Sequence, residues 1–373
     1  MDFSFTEEQD AVKELAAQIL DGQLGNDALK EFDKSGAAYD AGTWAEFAKA
    51  GLLGIALPES VGGAGLGFVA AALVLEQIGR TAAPIPYLPT VVLGALPIAE
   101  FGTDAQQEAL LPGVVDGTTI LTAALVEFGT APDQPTTTAR AEGEGWRLDG
   151  SKLCVPAGAQ ASRILVPAAT GAGTVGVFLV DPSAAGVSQE DLLTTSGQPE
   201  TRLDLDGVVV SAGDVLGDPT GGAAIVDWIV ERATAAGCIT AVGVCAEALR
   251  LTAEYTKTRE QFERPIATFQ AVGQRAADAY IDTEAVRLTA WQAVWRLSEG
   301  LPAAESVAIA KFWTAEGGQR VVHAAQHLHG GMGVDRDYPL HRYFLWAKQI
   351  ELTLGGGTQH LLELGTILAD EPV

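Results

Sequence analysis

The chain has 373 residues, with 48 Asp or Glu against 23 Lys or Arg and a formal net charge of −25. That balance excludes a nucleic-acid binder, which must neutralise phosphates, and it disfavours an anionic membrane surface because no basic amphipathic segment offsets the repulsion. With 47% hydrophobic and 19% charged residues, the composition is that of a folded protein able to form two or three packed units. The three cysteines, Cys154, Cys238 and Cys245, have spacings that suit neither a disulfide framework nor a zinc site, and they are read as reduced core residues. The start of the chain shows no charged-then-apolar leader. Apolar stretches such as Phe68–Leu75 stop at Glu76, well short of the roughly 20 residues a membrane span requires. The expectation is a cytoplasmic protein without a membrane span.

In chain order, apolar residues recur at helical spacing from Phe5 to Leu20, and Thr6 followed three places on by Gln9 predicts a capping-box start. Trp44, Phe47, Leu52 and Leu53 carry a helical pattern into the turn Gly62-Gly63-Ala64-Gly65, after which Phe68–Ile78 reads as a nearly all-apolar, buried helix. The Gly62–Gly67 turn does not make a dinucleotide fingerprint, because Phe68 stands where the third glycine belongs and the segment before it ends at Pro58. Residues 1–118 therefore read as a helical N-terminal domain. Short β-type runs follow at Thr136–Ala139, Trp146–Gly150, Ile164–Val166, Val175–Val180 and Leu203–Gly207, punctuated by Gly, Pro, Asp and Ser, and predict a middle β domain over 119–218. From Ala223 the helical period returns and runs to Gly355-Gly356-Gly357, broken most clearly at Gly300-Leu301-Pro302. This makes 219–373 a helical C-terminal domain and the whole an α+β fold.

Two clusters carry candidate chemistry. In Tyr255–Ile266, followed by Phe269-Gln270, a guanidinium (Arg259), a carboxamide (Gln261) and an aromatic ring (Phe262) meet where a helix ends before Pro265. Such a set can grip a phosphate bidentately and hold a base or ribose beside it; a snorkelling arginine and a core phenylalanine are the bland alternative. His327-Leu328-His329-Gly330-Gly331-Met332-Gly333 allows close backbone approach at three glycines, and Gly355-Gly356-Gly357-Thr358-Gln359-His360 feeds a helix start whose free N–H groups suit an anion. A helix C-cap and a tight turn account for the same glycines without a ligand. His323, His327 and His329 lack the carboxylate or cysteine companions of a metal site, and Trp291, Trp295, Trp313 and Trp346 suit core packing.

Taken together, the α–β–α order, the Phe3–Gln9 opening, the Leu57-Pro58-Glu59-Ser60-Val61-Gly62-Gly63 turn, the Arg259–Pro265 motif and the His329–Gly333 loop resemble the acyl-CoA dehydrogenase family of flavoproteins. The resemblance spans essentially the whole chain and implies a C-terminal four-helix bundle. The family reaction is α,β-desaturation of an acyl-CoA, in which a glutamate removes the α proton while hydride passes from the β carbon to FAD. In most members that glutamate lies two residues before the threonine matched by Thr358, where this chain has Gly356. The family's other base position lies about 26 residues, roughly seven turns, before Arg259 and falls on Ala233. Glu231, two places away, is about 200° around a helix from it unless an insertion intervenes.

The family's flavin-ring segment, Thr-Glu-Pro followed by Gly-Ser-Asp, is matched here by Leu125–Pro132 without that pattern, and the segment expected to bring a tryptophan against the ring reads Lys152–Gly158. The adenosine and pyrophosphate side is retained: Arg259, Gln261, Phe262, Phe269 and Gln270 match family contacts to an FAD held mainly by the neighbouring subunit. Gly330, Gly331 and Gly333 match the glycine loop, with His327 where a glutamine is expected. This combination is similar to the base-lacking subunit of actinobacterial heteromeric acyl-CoA dehydrogenases, several of which act on steroid side chains carried on CoA. The resemblance implies a second subunit bearing the catalytic glutamate, a two-plus-two heterotetramer, acyl-CoA as substrate and an electron-transferring flavoprotein as acceptor. A self-sufficient enzyme using Glu231 or Glu351, and a flavin-free relative, are the alternatives; an Arg259 salt-bridged within its own chain would favour the latter.

Overall fold

The computed structural model describes residues 4–370, so the Phe3 end of the opening segment lies outside the described residues. Helices come first: α1 (Glu7–Gln23), α2 (Asn26–Ser35), α3 (Ala41–Lys49), α4 (Gly67–Thr81), α5 (Leu96–Phe101) and α6 (Asp104–Val115). The strands are β1 (Leu121–Ala123), β2 (Thr138–Glu142), β3 (Gly145–Pro156), β4 (Arg163–Gly171), β5 (Thr174–Val180), β6 (Val187–Leu192), β7 (Glu200–Ser211) and β8 (Val215–Leu216). Then come α7 (Gly222–Thr258), a short hairpin of β9 (Glu260–Gln261) and β10 (Arg264–Pro265), α8 (Gln270–Ser298), α9 (Ala304–His329), α10 (Leu340–Leu352) and α11 (Gly357–Asp370). This is the helical, β, helical order that the residue pattern predicts. Helix α1 opens with the expected capping box, in which Gln9 N–H donates to Thr6 Oγ1 at 3.2 Å and Thr6 N–H donates to Gln9 Oε1 at 3.0 Å.

The described residues pack as two compact units that interleave along the chain. One comprises Gly36–Ala71 and Pro84–Ala233 and holds the main sheet, in the order β6-β7-β3-β2-β4-β5-β8 with β1 beside β4. Alternate residues of β7, among them Leu203 and Leu205, turn inward with Leu148, Val155, Ile164, Val166 and Phe178 to form the core of that sheet. Strands β1, β6 and β8 escape the sequence pattern for physical reasons: β1 and β8 are three and two residues long, and β6, Val-Ser-Gln-Glu-Asp-Leu, is a polar edge strand whose charges discourage further pairing.

The other unit comprises the described residues up to Ser35, Ala72–Ala83, and the chain from Thr234 onward. Here α9 packs against α8, α10 and α11, and Cys245 of α7, Ala279 of α8 and Val321 of α9 share one core. Helices α4 and α7 cross at backbone distance. A Cβ at Gly79 would overlap the Thr240 carbonyl, and one at Gly243 would overlap the Glu76 carbonyl. Glu76, buried on α4, accepts a 2.7 Å ion-pair hydrogen bond from Arg287 of α8 and so ties a third helix to the crossing.

Two expectations need correction. Helix α7 contains an 18-residue window of mean hydropathy 1.4, long and apolar enough to cross a membrane, which outruns the Phe68–Leu75 stretch. Because 72% of that window is buried inside the protein, the apolarity belongs to a core helix. Cys238 and Cys245 are buried as expected, but Cys154 is exposed, at a register shift of β3 where its φ is +50°.

The crossing generates a stability prediction. Gly79→Ala or Gly243→Ala forces backbone carbonyls apart, and each variant is expected to lose on the order of 3 kcal/mol or more in chemical denaturation. Gly25→Ala, where a Cβ meets nothing within 4 Å, is the control and stays within about 1 kcal/mol. Equal loss at all three positions would refute the close crossing.

Candidate cofactor site

Helix α7 ends at Thr258 and the chain turns straight into the β9–β10 hairpin, with Gln261 opposite Arg264 and Glu260 opposite Pro265. A two-residue hairpin of this kind wants positive φ at both central positions, for which Asn-Gly is the easy solution. This chain places Phe262 (φ +55°) and Glu263 (φ +64°) there, each at a cost of roughly 1–2 kcal/mol. The strain projects Phe262 outward, 87% exposed, edge-on to Phe269 at 6.2 Å, while the Arg264 guanidinium covers the Phe269 ring at 4.2 Å. Arg259 is exposed, and its side chain makes no hydrogen bond or ion pair among the described residues. Its backbone is fixed at both ends, N–H to Tyr255 O and carbonyl from Ile266 N–H, each at 2.8 Å. Gln261 and Gln270 are also exposed, the latter opening α8.

The glycine loop leaves the far end of α9. Gly330 takes φ +62°, a conformation for which glycine is suited, and a Cβ at Gly330 or Gly331 would meet nothing within 4 Å, so the backbone there is open to close approach. Gly333 instead is buried in the turn, which Gln326 closes by donating from Nε2 to the Gly333 carbonyl at 3.0 Å. His327 is exposed. Of the three histidines singled out by spacing, His329 is a core strut, stacked on Tyr255 at 4.3 Å between ring centroids, and His323 sits edge-on to Phe344 at 5.0 Å. Among the described residues no three His, Cys, Asp or Glu side chains gather as metal ligands would.

Gly356 lies elsewhere. It belongs to the turn between α10 and α11, and the neighbouring Gly357 packs against Ala315 and Glu316 in the middle of α9. His329 is 13 residues further along α9 than Glu316, which places the two loops about 20 Å apart. The predicted residues thus divide into one group around the hairpin and glycine loop and a second position, Gly356, that does not join it. A Cβ at Gly356 would meet nothing closer than the Glu351 carbonyl at 3.9 Å, so packing does not demand glycine there.

Neither alternative base is free. Glu351 pairs with Lys348 at 2.6 Å and also feels Lys311, a buried amine that donates to the Ile350 carbonyl and that burial pushes down to about 8. Ala233 is buried, and Glu231 is engaged. Helix α7 runs unbroken through both, so no insertion brings Glu231 round to the Ala233 face.

The segment matched to the family's ring contacts has its own internal partners. Glu127 accepts from Thr136 N–H at 2.6 Å, from the Thr136 hydroxyl, from Thr137 N–H at 3.2 Å and from Lys152 Nζ at 2.6 Å. Lys152 is 0% exposed. Burial opposes the charge on Glu127, but Lys152 and the threonine donors outweigh it and hold the carboxyl down at about 2. Val126 offers no hydroxyl beside it, and Phe128 is 93% exposed. Spacing alone does not reveal this pair; its signal in the sequence is a lysine in phase with Leu148 on the inward face of β3.

The comparisons agree with this architecture. The acyl-CoA dehydrogenase N-terminal domain matches residues 6–118 and the acyl-CoA dehydrogenase C-terminal domain matches 221–366. The acyl-CoA dehydrogenase FadE27 of Mycobacterium tuberculosis is 42% identical over the full length of both chains. A chain of the ChsE4-ChsE5 complex from Mycobacterium tuberculosis superposes with a TM-score of 0.94 at 42% identity, covering 100% of both. A chain of a variant of the Tcur3481-Tcur3483 steroid ACAD gives a TM-score of 0.91 at 46% identity, covering 98% of each. The protein belongs to the acyl-CoA dehydrogenase family, whose members bind FAD.

The buried pair generates a second prediction. Glu127→Gln or Lys152→Met alone strands a buried partner and is expected to cost about 3–5 kcal/mol in denaturant unfolding, whereas the Glu127→Leu/Lys152→Met double variant recovers most of that. Because Glu127 titrates at about 2 in the folded state against an ordinary 4.5, its contribution is complete above pH 4.5 and is lost as the pH falls toward 2. The double variant should therefore lose less stability than the parent over that window; identical acid limbs would refute the assignment.

Proposed function

We propose that this chain is a subunit of an FAD-dependent acyl-CoA dehydrogenase that lacks its own catalytic base and lends adenosine and pyrophosphate contacts to an FAD held mainly by a second, glutamate-bearing subunit of the same family. The observation that carries the proposal is the coexistence of an outward, unengaged Arg259 among the described residues with a glycine, Gly356, at the usual base position. An intrachain salt bridge at Arg259 would have favoured a flavin-free relative, and the described residues offer none.

The residues around the hairpin fit the adenosine side of FAD. Arg259 can grip the pyrophosphate bidentately, the exposed Phe262 ring can pack on the adenine with Phe269 behind it, and Gln261, Gln270 and His327 supply polar contacts beside them. Gly330 and Gly331 let the backbone come close without side-chain interference, and Gly333 lets the turn behind them close against Gln326 and His329. The ring side does not fit equally: the Glu127 carboxylate is already engaged by Lys152 and by the Thr136 and Thr137 backbone N–H groups, and Val126 adds no hydroxyl. When bound, FAD supplies the hydride acceptor for α,β-desaturation. The α proton must go to a carboxylate within hydrogen-bond reach, which in this reading the partner subunit provides.

The two-subunit reading is supported by relatives described as the ChsE4-ChsE5 complex and the Tcur3481-Tcur3483 steroid ACAD. A steroid side-chain CoA as substrate, a two-plus-two heterotetramer, an electron-transferring flavoprotein as acceptor and a cytoplasmic location belong to the same proposal. Visible flavin absorbance tests it. The chain purified alone should be colourless, and co-expression with a glutamate-bearing family member should give a yellow complex with about one FAD for every two chains. One FAD per chain, retained by this protein alone, would overturn the proposal.

A further inference from the structure

Tyr255, His329 and Tyr338 form an aromatic cluster, with His329 buried between two half-buried tyrosines, that no step of the proposed function uses. His329 is the last residue of α9 and is 3% exposed. Its Nδ1–H donates to the Ala325 carbonyl at 2.8 Å, which leaves Nε2 bare to accept from the Tyr338 hydroxyl at 3.2 Å. Those partners fix the neutral tautomer, and burial lowers the tendency of the ring to take a second proton. On one face the imidazole lies nearly parallel to Tyr255, at 22° and 4.3 Å, and Tyr338 stands edge-on to Tyr255 at 6.3 Å.

What this cluster joins matters more than its packing. Tyr255 lies one helical turn before Arg259 and accepts the Arg259 N–H on its carbonyl. His329 immediately precedes Gly330. Tyr338 closes the chain on the other side of the Gly330–Val334 turn, and its backbone is held by His341 Nδ1 on its carbonyl at 2.8 Å. The end of α7 and both ends of the glycine loop therefore share one rigid contact.

We propose that Tyr338, acting through His329, is a positioning residue that locks the glycine loop to the end of α7, so that Arg259 and the open backbone of Gly330 and Gly331 are presented as a single surface. This deepens the FAD reading and rests on it for its functional consequence, but the mechanical coupling stands by itself. A single ring holding both motifs reduces the ordering that binding must supply, which is the general advantage of preorganisation.

Tyr338→Phe deletes only the hydroxyl and keeps the ring. In the chain alone, amide hydrogen exchange should speed up together at Gly330–Val334 and at Arg259, while α8 amides stay protected. In the complex with a glutamate-bearing family member, the FAD dissociation constant should rise about three- to tenfold in Tyr338→Phe. Thr283→Val, which removes a buried hydrogen bond within α8 from the Thr283 hydroxyl to the Ala279 carbonyl, should shift the melting temperature and leave FAD affinity unchanged. Faster exchange confined to the loop, or unchanged exchange, overturns the coupling. Unchanged FAD affinity in Tyr338→Phe overturns the positioning role, whereas unchanged affinity in Arg259→Ala overturns the FAD reading itself.

Discussion

Helix α9 is the constraint on which the candidate site depends. It is 26 residues long and buried along much of its length, from Ser306 to His329, so its two ends cannot move independently. Its middle supports the turn carrying Gly356, through Ala315 and Glu316, and its last residue supports the glycine loop through His329. The helices around it are tied by polar contacts where apolar packing alone would permit sliding: Lys311 onto the Ile350 carbonyl, Arg287 onto Glu76, and Arg320 onto Asp282. A chain built this way holds the Gly356 turn and the glycine loop at a set separation, and either can change chemically without disturbing the other.

That separation leaves position 356 free to vary while the hairpin and the glycine loop keep their own packing. Gly356 has room for a side chain, so glycine there is not imposed by packing. The hairpin, by contrast, keeps two strained non-glycine residues, Phe262 and Glu263, at a cost that the local fold could have avoided. Strain retained in an exposed turn, beside an arginine with no partner among the described residues, points to a contact made outside the chain.

The fold was legible because its signals are local and redundant. The Thr6–Gln9 box, the apolar run of α4, the alternation of β7 and the break at Gly300-Leu301-Pro302 each depend on a few neighbouring residues, and each has its expected counterpart in the structure. The candidate site was legible only in part. The motifs mark Arg259, Phe262 and the glycines as candidates, but spacing in sequence carries no information on what packs behind them. His329 looked like one of three neighbouring histidines and is instead the centre of an aromatic stack with Tyr255, 74 residues away in sequence. Glu127 and Lys152 are 25 residues apart, and their pairing emerges only when β3 turns Lys152 into the sheet interior. Cys154 failed the core reading because a register shift in β3 rotates it outward.

The central claim is that this chain contributes binding and no proton abstraction. The most direct measurement is an anaerobic titration of the flavin-loaded complex with acyl-CoA, following loss of the visible flavin band. The account predicts that bleaching survives Glu231→Gln and Glu351→Gln in this chain and disappears when the base glutamate of the other subunit is replaced. Loss of bleaching in either of the first two variants, with FAD content retained, would contradict it.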